Sequence, residues 1–234
     1  MEEYKKTIYK LWAQNGALSF PQPDDKTIEG RCDDFKRLVI DKFLNPNKDI
    51  KILDIGCGWG VFLKACSKYG YENLSGVDST EKCVNFARNN LKIKDVFCGE
   101  IGCYLKSLPD KSQDVITAFD VMEHFERDEI LDVLSLIYKK LNKNGIFIMQ
   151  VPNAGSLSGL YIFYSDITHS MPFTDLLIDE LFGLVGFKNL KIFGAYKNRN
   201  AVLRAVKFLR DYIVGGNRFS HYTNLIAVGR KTNE

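Results

Sequence analysis

Histidine is scarce in this sequence of 234 residues: His124, His169 and His221 are all it has. Any chemistry that needs an imidazole is confined to those three places. Cysteines occur at 32, 57, 66, 83, 98 and 103, with no C-x-x-C pair among them. Their scatter favours reduced thiols over a disulfide framework or a zinc knuckle. No apolar run approaches the roughly 20 residues of a bilayer-spanning helix. The opening MEEYKKTIYK lacks the apolar core of a secretory signal. The expectation is a cytoplasmic protein without membrane insertion. A charge excess is missing too, because 32 basic and 29 acidic residues leave a formal +3. The two signs are interspersed, which argues against nucleic acid as a partner.

What is present is an ordinary globular composition, 45% apolar and 26% charged, on a chain long enough for one elaborated domain. Residues 1–30 begin with an aromatic-rich helical pattern (Tyr4, Tyr9, Trp12) and continue into the breaker-rich LSFPQPDDKTIEG. They read as an N-terminal helical arm or lid, with the main domain over 31–234. From Arg31 helical and extended patterns alternate. DDFKRLVIDKFL precedes strand KILDIG, then come helix VFLKACSKYG, strand NLSGVD and helix STEKCVNFARNNL. A short strand at KDVFCG, strand DVITAFDV, helix ERDEILDVLSLIYKKL and strand GIFIMQV follow. This is the βαβ rhythm of a parallel sheet flanked by helices, with ligands at the carboxyl ends of the strands. The rhythm breaks at 154–173 (AGSLSGLYIFYSDITHSMPF), a long aromatic-bearing connection of the kind that forms functional loops. Helix TDLLIDELFGLVG and strand FKNLKIFG follow. A second insertion near 197–215 carries an amphipathic helical pattern with Val202, Leu203, Val206, Leu209 and Ile213 on one face, before strand NLIAVGRK.

The loop after the first strand reads DIGCGWGV at 54–61. Gly56, Gly58 and Gly60 let the backbone approach a ligand at a helix N-terminus. Asp78 ends the next strand, twenty residues after Gly58, where a carboxylate can accept both hydroxyls of a ribose. That much suits two adenosine cofactors equally. The dinucleotide fingerprint would place a glycine at 61, where this chain has Val61, with its last glycine one residue early at Gly60.

That spacing resembles class I S-adenosylmethionine-dependent methyltransferases, and further motifs in order extend the resemblance over about residues 35–230. ILDIGCGWG is similar to the family's first motif, with Asp54 its acidic residue, and GVDST to its second. CGEI at 98–101 falls where the family reads adenine. SLPDKSQDVITAFDVMEHF resembles the fourth strand and its turn, GIFIMQVPN the fifth strand, and VGFKNLKIF the entry to the sixth. The resemblance implies an α/β Rossmann-like fold: a seven-stranded sheet of order 3-2-1-4-5-7-6, strand 7 antiparallel, with helices on both faces. It also implies S-adenosyl-L-methionine as cofactor. Gly56, Cys57, Gly58 and Gly60 would lie along its methionine part, Asp78 and Ser79 at its ribose, and Glu100 with the Ile101 amide at its adenine. Trp59 either shields the cofactor or packs in the core. Asp120, at the end of the fourth strand, completes the implied set.

Two histidines fall in the turns where the family has its active-site mouth. In DVMEH, Asp120, Glu123 and His124 are spaced i, i+3, i+4, and one helical turn would align them. Two carboxylates and an imidazole are plausible ligands for Mg²⁺ or another divalent ion. The pattern resembles the ExxEH of some ubiquinone-pathway and small-RNA O-methyltransferases, with Asp120 in place of the first Glu. His169 lies in SDITHSMPFT, with Asp166 three residues before it to orient an imidazole and Tyr161, Phe163, Tyr164 and Phe173 as a pocket wall. The catalytic expectation is that His124 or His169 takes the acceptor's proton. The variant is a metal held by Asp120, Glu123, His124 and His169.

The turn after the fourth strand reads FDVMEH, lacking both the [DNS]-P-P-[YF] of amide and nucleobase N-methylation and a cysteine for covalent base attack. A hydroxyl on a small molecule is therefore the expected acceptor. Lys197, Arg199, Arg204, Lys207 and Arg210 would suit an anionic one. The DITH loop resembles enzymes of surface-polysaccharide pathways, which implies a sugar, sugar phosphate or nucleotide sugar in capsule or lipopolysaccharide synthesis. A quinone precursor or another phenol is the alternative. An NAD(P)-dependent oxidoreductase and a non-catalytic cofactor-binding protein are the readings from other classes.

Overall fold

A computed structural model describes residues 21–197 and 222–232 together with Lys5, Thr7, Ile8 and Phe219. The expected helix over 201–213, Arg199, Arg204, Lys207, Arg210, the Lys197 side chain and His221 lie outside the described residues, as does most of the expected arm. The strands are β1 (Ile52–Ile55), β2 (Leu74–Asp78), β3 (Asp95–Cys98), β4 (Gln113–Phe119), β5 (Leu141–Pro152), β6 (Lys188–Lys197) and β7 (Tyr222–Arg230). They form one sheet of order β3-β2-β1-β4-β5-β7-β6. β1 pairs in parallel with β2 and β4, and β2 with β3, while β7 runs antiparallel to β5 and β6. This is the sheet that the family resemblance implies.

The described residues divide into two compact units. One comprises residues up to Ala118 with Lys139–Gly145, and the other Phe119–Tyr138 with the residues from Ile146 onward. In the first, β1 is buried along its whole length, as expected for a strand covered on both faces and written as a continuous apolar run. Helix α1 (Asp25–Phe35) starts earlier than the sequence pattern predicts, because Asp24 caps it by accepting from the Thr27 N–H at 2.8 Å. The helical path continues through a π turn, Lys36–Ile40. Phe35 meets Phe62 of helix α2 (Val61–Lys68) edge to face at 5.2 Å, and the Cys32 thiol lies 3.9 Å from the Val61 carbonyl. Helix α3 (Glu81–Asn89) follows β2. Helix α4 (Ile101–Ser107) was not anticipated: it has seven residues and buries Leu105, too little for a period to show.

In the second unit the core is β5 and β7, with Phe147 against Phe182 and Phe187 at 5.7 and 6.0 Å. Helix α5 (Ile130–Lys140) runs directly into β5, which begins at Leu141 rather than after the predicted stop NKNG. The connection over 154–173 is not irregular throughout. It contains helix α6 (Leu157–Tyr164), whose cap Ser156 accepts from the Gly159 N–H at 2.9 Å. Its two ends are clipped together by the Asn153–Phe173 bridge and by the Ala154 N–H donating to the Phe173 carbonyl at 2.8 Å. A Cβ at Gly159 would lie 2.1 Å from the Asn153 carbonyl oxygen, so α6 can approach this clip only with glycine there. Helix α7 (Asp175–Val185), capped by Thr174, leads to β6. Among the described residues no helix is long and apolar enough to cross a membrane, and all six cysteines are free thiols.

Candidate functional site

In the first unit the glycine loop is held in the conformation that its sequence requires. Gly56, Gly58 and Gly60 have φ of 64°, 50° and 77°, in the left-handed region that side chains disfavour. The Gly58 N–H donates to Asp78 Oδ2 and the Thr80 N–H to Asp78 Oδ1, both at 2.8 Å. The Asp78 carboxylate thus ties the β1 loop to the end of β2. A carboxylate has roughly four lone-pair sites, so acceptor capacity remains for a ribose hydroxyl. Burial holds its pKa above the usual carboxylate range, against the pull of these amide bonds.

The other expected cofactor residues surround the same loop. Cys57 is buried, its N–H donating to the Val77 carbonyl at 3.1 Å. Ser79 is exposed just past β2, Glu100 occupies the cap position of α4, and Ile101 heads that helix. Trp59 is buried edge to face on Phe86 of α3 at 5.4 Å, with Lys82 Nζ 5.9 Å above its ring. Packing accounts for it. Asp54 does not lie open to a ligand: it is buried on β1 and accepts from Thr117 Oγ1 at 2.7 Å. The residues present fit an adenosine cofactor with a small bridging group, since Gly60 leads straight into the buried Val61.

In the second unit the turn after β4 carries a different chemistry. Asp120 has φ of 57°, and Met122–His124 form a single 3-10 turn rather than the α-helical turn expected. The side chains are consequently split. Asp120 points to β5 and β7, accepting from Gln150 Nε2 at 3.1 and 3.0 Å and from Asn224 Nδ2 at 3.1 Å. Glu123 and His124 instead meet His169, and the ligand atoms of these three lie within 4.8 Å of one another. Of the four residues expected as metal ligands, three are brought together and Asp120 is not among them.

The loop bearing His169 is tied down by backbone bonds. The Ser170 and Met171 N–H groups donate to the Glu123 carbonyl at 2.8 and 3.0 Å, and Ser170 Oγ donates to Glu126 Oε1 at 2.8 Å. His169 Nδ1 lies 2.9 Å from the Phe163 carbonyl. A carbonyl only accepts, so Nδ1 carries a hydrogen, and in the neutral ring the lone pair is on Nε2. Nε2 is 3.9 Å from Glu123 Oε1 and 4.0 Å from Asp166 Oδ2. The His124 and His169 rings are 4.7 Å apart. Of the expected aromatic wall, Phe163 and Phe173 are buried, Phe163 stacking on His169 at 5.4 Å, whereas Tyr161 and Tyr164 stand at the surface.

Glu123 is the informative member. Its side chain is 1% exposed, yet neither carboxylate oxygen has a hydrogen-bond partner. Burial, then the charges of Asp120 and Asp166, push its pKa well above the usual range. Buried polar atoms are normally satisfied, and one left bare beside two imidazoles fits a cation. Two nitrogens and one carboxylate suit zinc, iron or manganese better than magnesium, which prefers oxygen. Sequence reading missed Thr168, whose hydroxyl contacts His124 at 2.9 Å, although it stands in the DITH motif already singled out.

Comparison with known proteins bears on the family and the fold. A family model described as a methyltransferase domain matches residues 27–192. A ubiquinone biosynthesis O-methyltransferase of Rickettsia bellii is 24% identical over 221 residues, covering 79% of this chain and 84% of that protein. The mitochondrial ubiquinone biosynthesis O-methyltransferase of Saccharomyces cerevisiae is 26% identical over 134 residues, 54% of this chain, which spans only 42% of that protein's length. A crystal structure of a SAM-dependent methyltransferase from Archaeoglobus fulgidus superposes with a TM-score of 0.70 at 25% identity, over 98% of this chain and 100% of that one. With the glycine loop, its carboxylate and the sheet order in place, the chain belongs to the methyltransferase domain family and is a class I methyltransferase that uses S-adenosylmethionine.

Proposed function

We propose that this methyltransferase acts on a hydroxyl oxygen of a small aromatic acceptor, a quinone precursor or another phenol. The observation that carries the reading is Glu123, a buried carboxylate with both oxygens unsatisfied beside two imidazoles. S-adenosylmethionine supplies a methyl group on a positively charged sulfonium, open to in-line attack. A phenol is a poor nucleophile until it loses its proton, with a pKa near ~10. Glu123, His124 and His169 would hold a divalent cation, whose charge would favour the phenolate. The names of the Rickettsia bellii and Saccharomyces cerevisiae relatives support this acceptor class. The reading as sugar O-methylation rests on the DITH loop and on the basic residues between 197 and 210, and no relative named above is named for such a substrate.

The same two imidazoles would serve as proton acceptors if no metal were held. A methyl-transfer assay over catechols, prenylated phenols, sugar phosphates and nucleotide sugars, with and without chelator, tests the proposal. Turnover on a phenol, lost with chelator and restored by a divalent ion, is the expected result. Turnover confined to sugars would reject the acceptor class, and full activity in chelator would reject the metal. Near-normal turnover in His124→Ala or His169→Ala would remove that residue from the mechanism.

A further inference from the structure

We propose that Thr168 and Asp166 are positioning residues that set the tautomer of His124, fixing its hydrogen on Nδ1 and its lone pair on Nε2. The inference rests on the proposed role of His124 in the cluster but is carried by separate bonds. Asp166 Oδ1 accepts from the Thr168 N–H at 2.8 Å and from the Thr168 hydroxyl at 2.6 Å. Asp166 Oδ1 is the acceptor in both, so the short bond consumes the one hydrogen of the hydroxyl. What Thr168 Oγ1 then offers to His124 Nδ1, 2.9 Å away, is a lone pair. Nδ1 must donate, and the neutral ring keeps its lone pair on Nε2. Thr168 is 0% exposed, so water does not compete for the hydroxyl.

Asp166 thus acts on a different histidine from the one its sequence position suggests. It lies three residues before His169 but orients His124 through an intervening hydroxyl. His169 reaches the same tautomer by an unrelated route, the Phe163 carbonyl. Two independent devices give the same outcome on rings 4.7 Å apart. A site that needs both Nε2 atoms as ligands, or as bases, requires this coincidence, and partners that fix ligand tautomers in this way are a recurrent property of metal-binding histidines.

Thr168→Val is the discriminating variant. It removes the hydroxyl at nearly constant volume and leaves the backbone bond to Asp166 that shapes the loop. The measurement is ¹⁵N NMR of histidine-labelled full-length protein in chelator, above the imidazole titration range, with His124 assigned by loss of its signals in His124→Gln. Native protein is expected to show His124 Nδ1 as the protonated nitrogen. Thr168→Val should populate the other tautomer, and Thr168→Ser should restore the native pattern. Turnover in Thr168→Val should fall roughly 10- to 100-fold at unchanged KM for S-adenosylmethionine, with recovery in Thr168→Ser. A native His124 tautomer in Thr168→Val overturns the positioning role whatever the activity. A switched tautomer with undiminished turnover supports the positioning role while overturning the part assigned to His124 in methyl transfer.

Discussion

Thr117 on β4 donates a 2.7 Å hydrogen bond to Asp54 on β1, and the two are register partners on parallel strands. One hydroxyl does not offset burial of a carboxylate. Burial, with a smaller push from the Asp78 charge and against the Thr117 bond, raises the Asp54 pKa to about 7 from 3.8. The folded state therefore binds a proton more tightly than the unfolded state. Its contribution to stability is complete below about pH 4 and is lost as the pH rises through about 7, with an upper bound of about 4 kcal/mol. Asp54→Asn mimics the protonated form. Urea unfolding across this range should show the variant gaining on the native protein as pH rises, and parallel stability curves would reject the argument.

Gly60 is fixed by packing as well as by its loop. Its φ is 77°, and a Cβ there would lie 2.8 Å from the Ala87 Cβ of α3. Gly60→Ala combines a left-handed alanine with overpacking and should destabilise by about 2–4 kcal/mol. Adding Ala87→Gly should return the steric part and not the backbone part. No coupling between the two substitutions, with Ala87→Gly measured alone to complete the cycle, would show that the contact is irrelevant.

For the cofactor, the proposed ribose role of Asp78 predicts a binding defect. Asp78→Ala removes a charged acceptor and releases the Gly58 and Thr80 amides. Calorimetric titration with S-adenosylhomocysteine should show affinity lower by about 10- to 100-fold, the range expected from one charge-assisted bond. Unchanged affinity would place the ribose elsewhere.

A buried carboxylate without hydrogen-bond partners costs stability until something binds it. In chelator, Glu123→Met should be more stable than the native protein by roughly 1–3 kcal/mol, the usual cost of an unsatisfied buried group. Titration with zinc, manganese or magnesium should then raise the melting temperature of the native protein and leave the variant unmoved. If no ion separates the two, the cluster is not a cation site.

Much of this was legible in the sequence where the signal is local. The strand–loop–helix around DIGCGWGV, the carboxylate ending β2 and the alternation of strands and helices are written in contiguous runs, while the strand order came from the family resemblance. The misreadings came from weak or short signals. α4 has too few buried positions to show a period, and α6 is so uniformly apolar that it reads as a loop wall. In DVMEH a helical spacing was read where the positive φ of Asp120 and a 3-10 turn divide the carboxylates.

The sequence by itself determined a nucleotide-binding loop, because such a loop needs only glycine conformations and one carboxylate a strand away, and the resemblance of its motifs named the cofactor. The tertiary structure decided the proposed acceptor chemistry. His124 and Thr168 are 44 residues apart, and no periodicity within either segment reports that they meet. The meeting depends on the backbone clip that seats Ser170 and Met171 on the Glu123 carbonyl. That clip turns two separate loop histidines and a lone glutamate into one cluster, and leaves the glutamate buried without a hydrogen-bond partner.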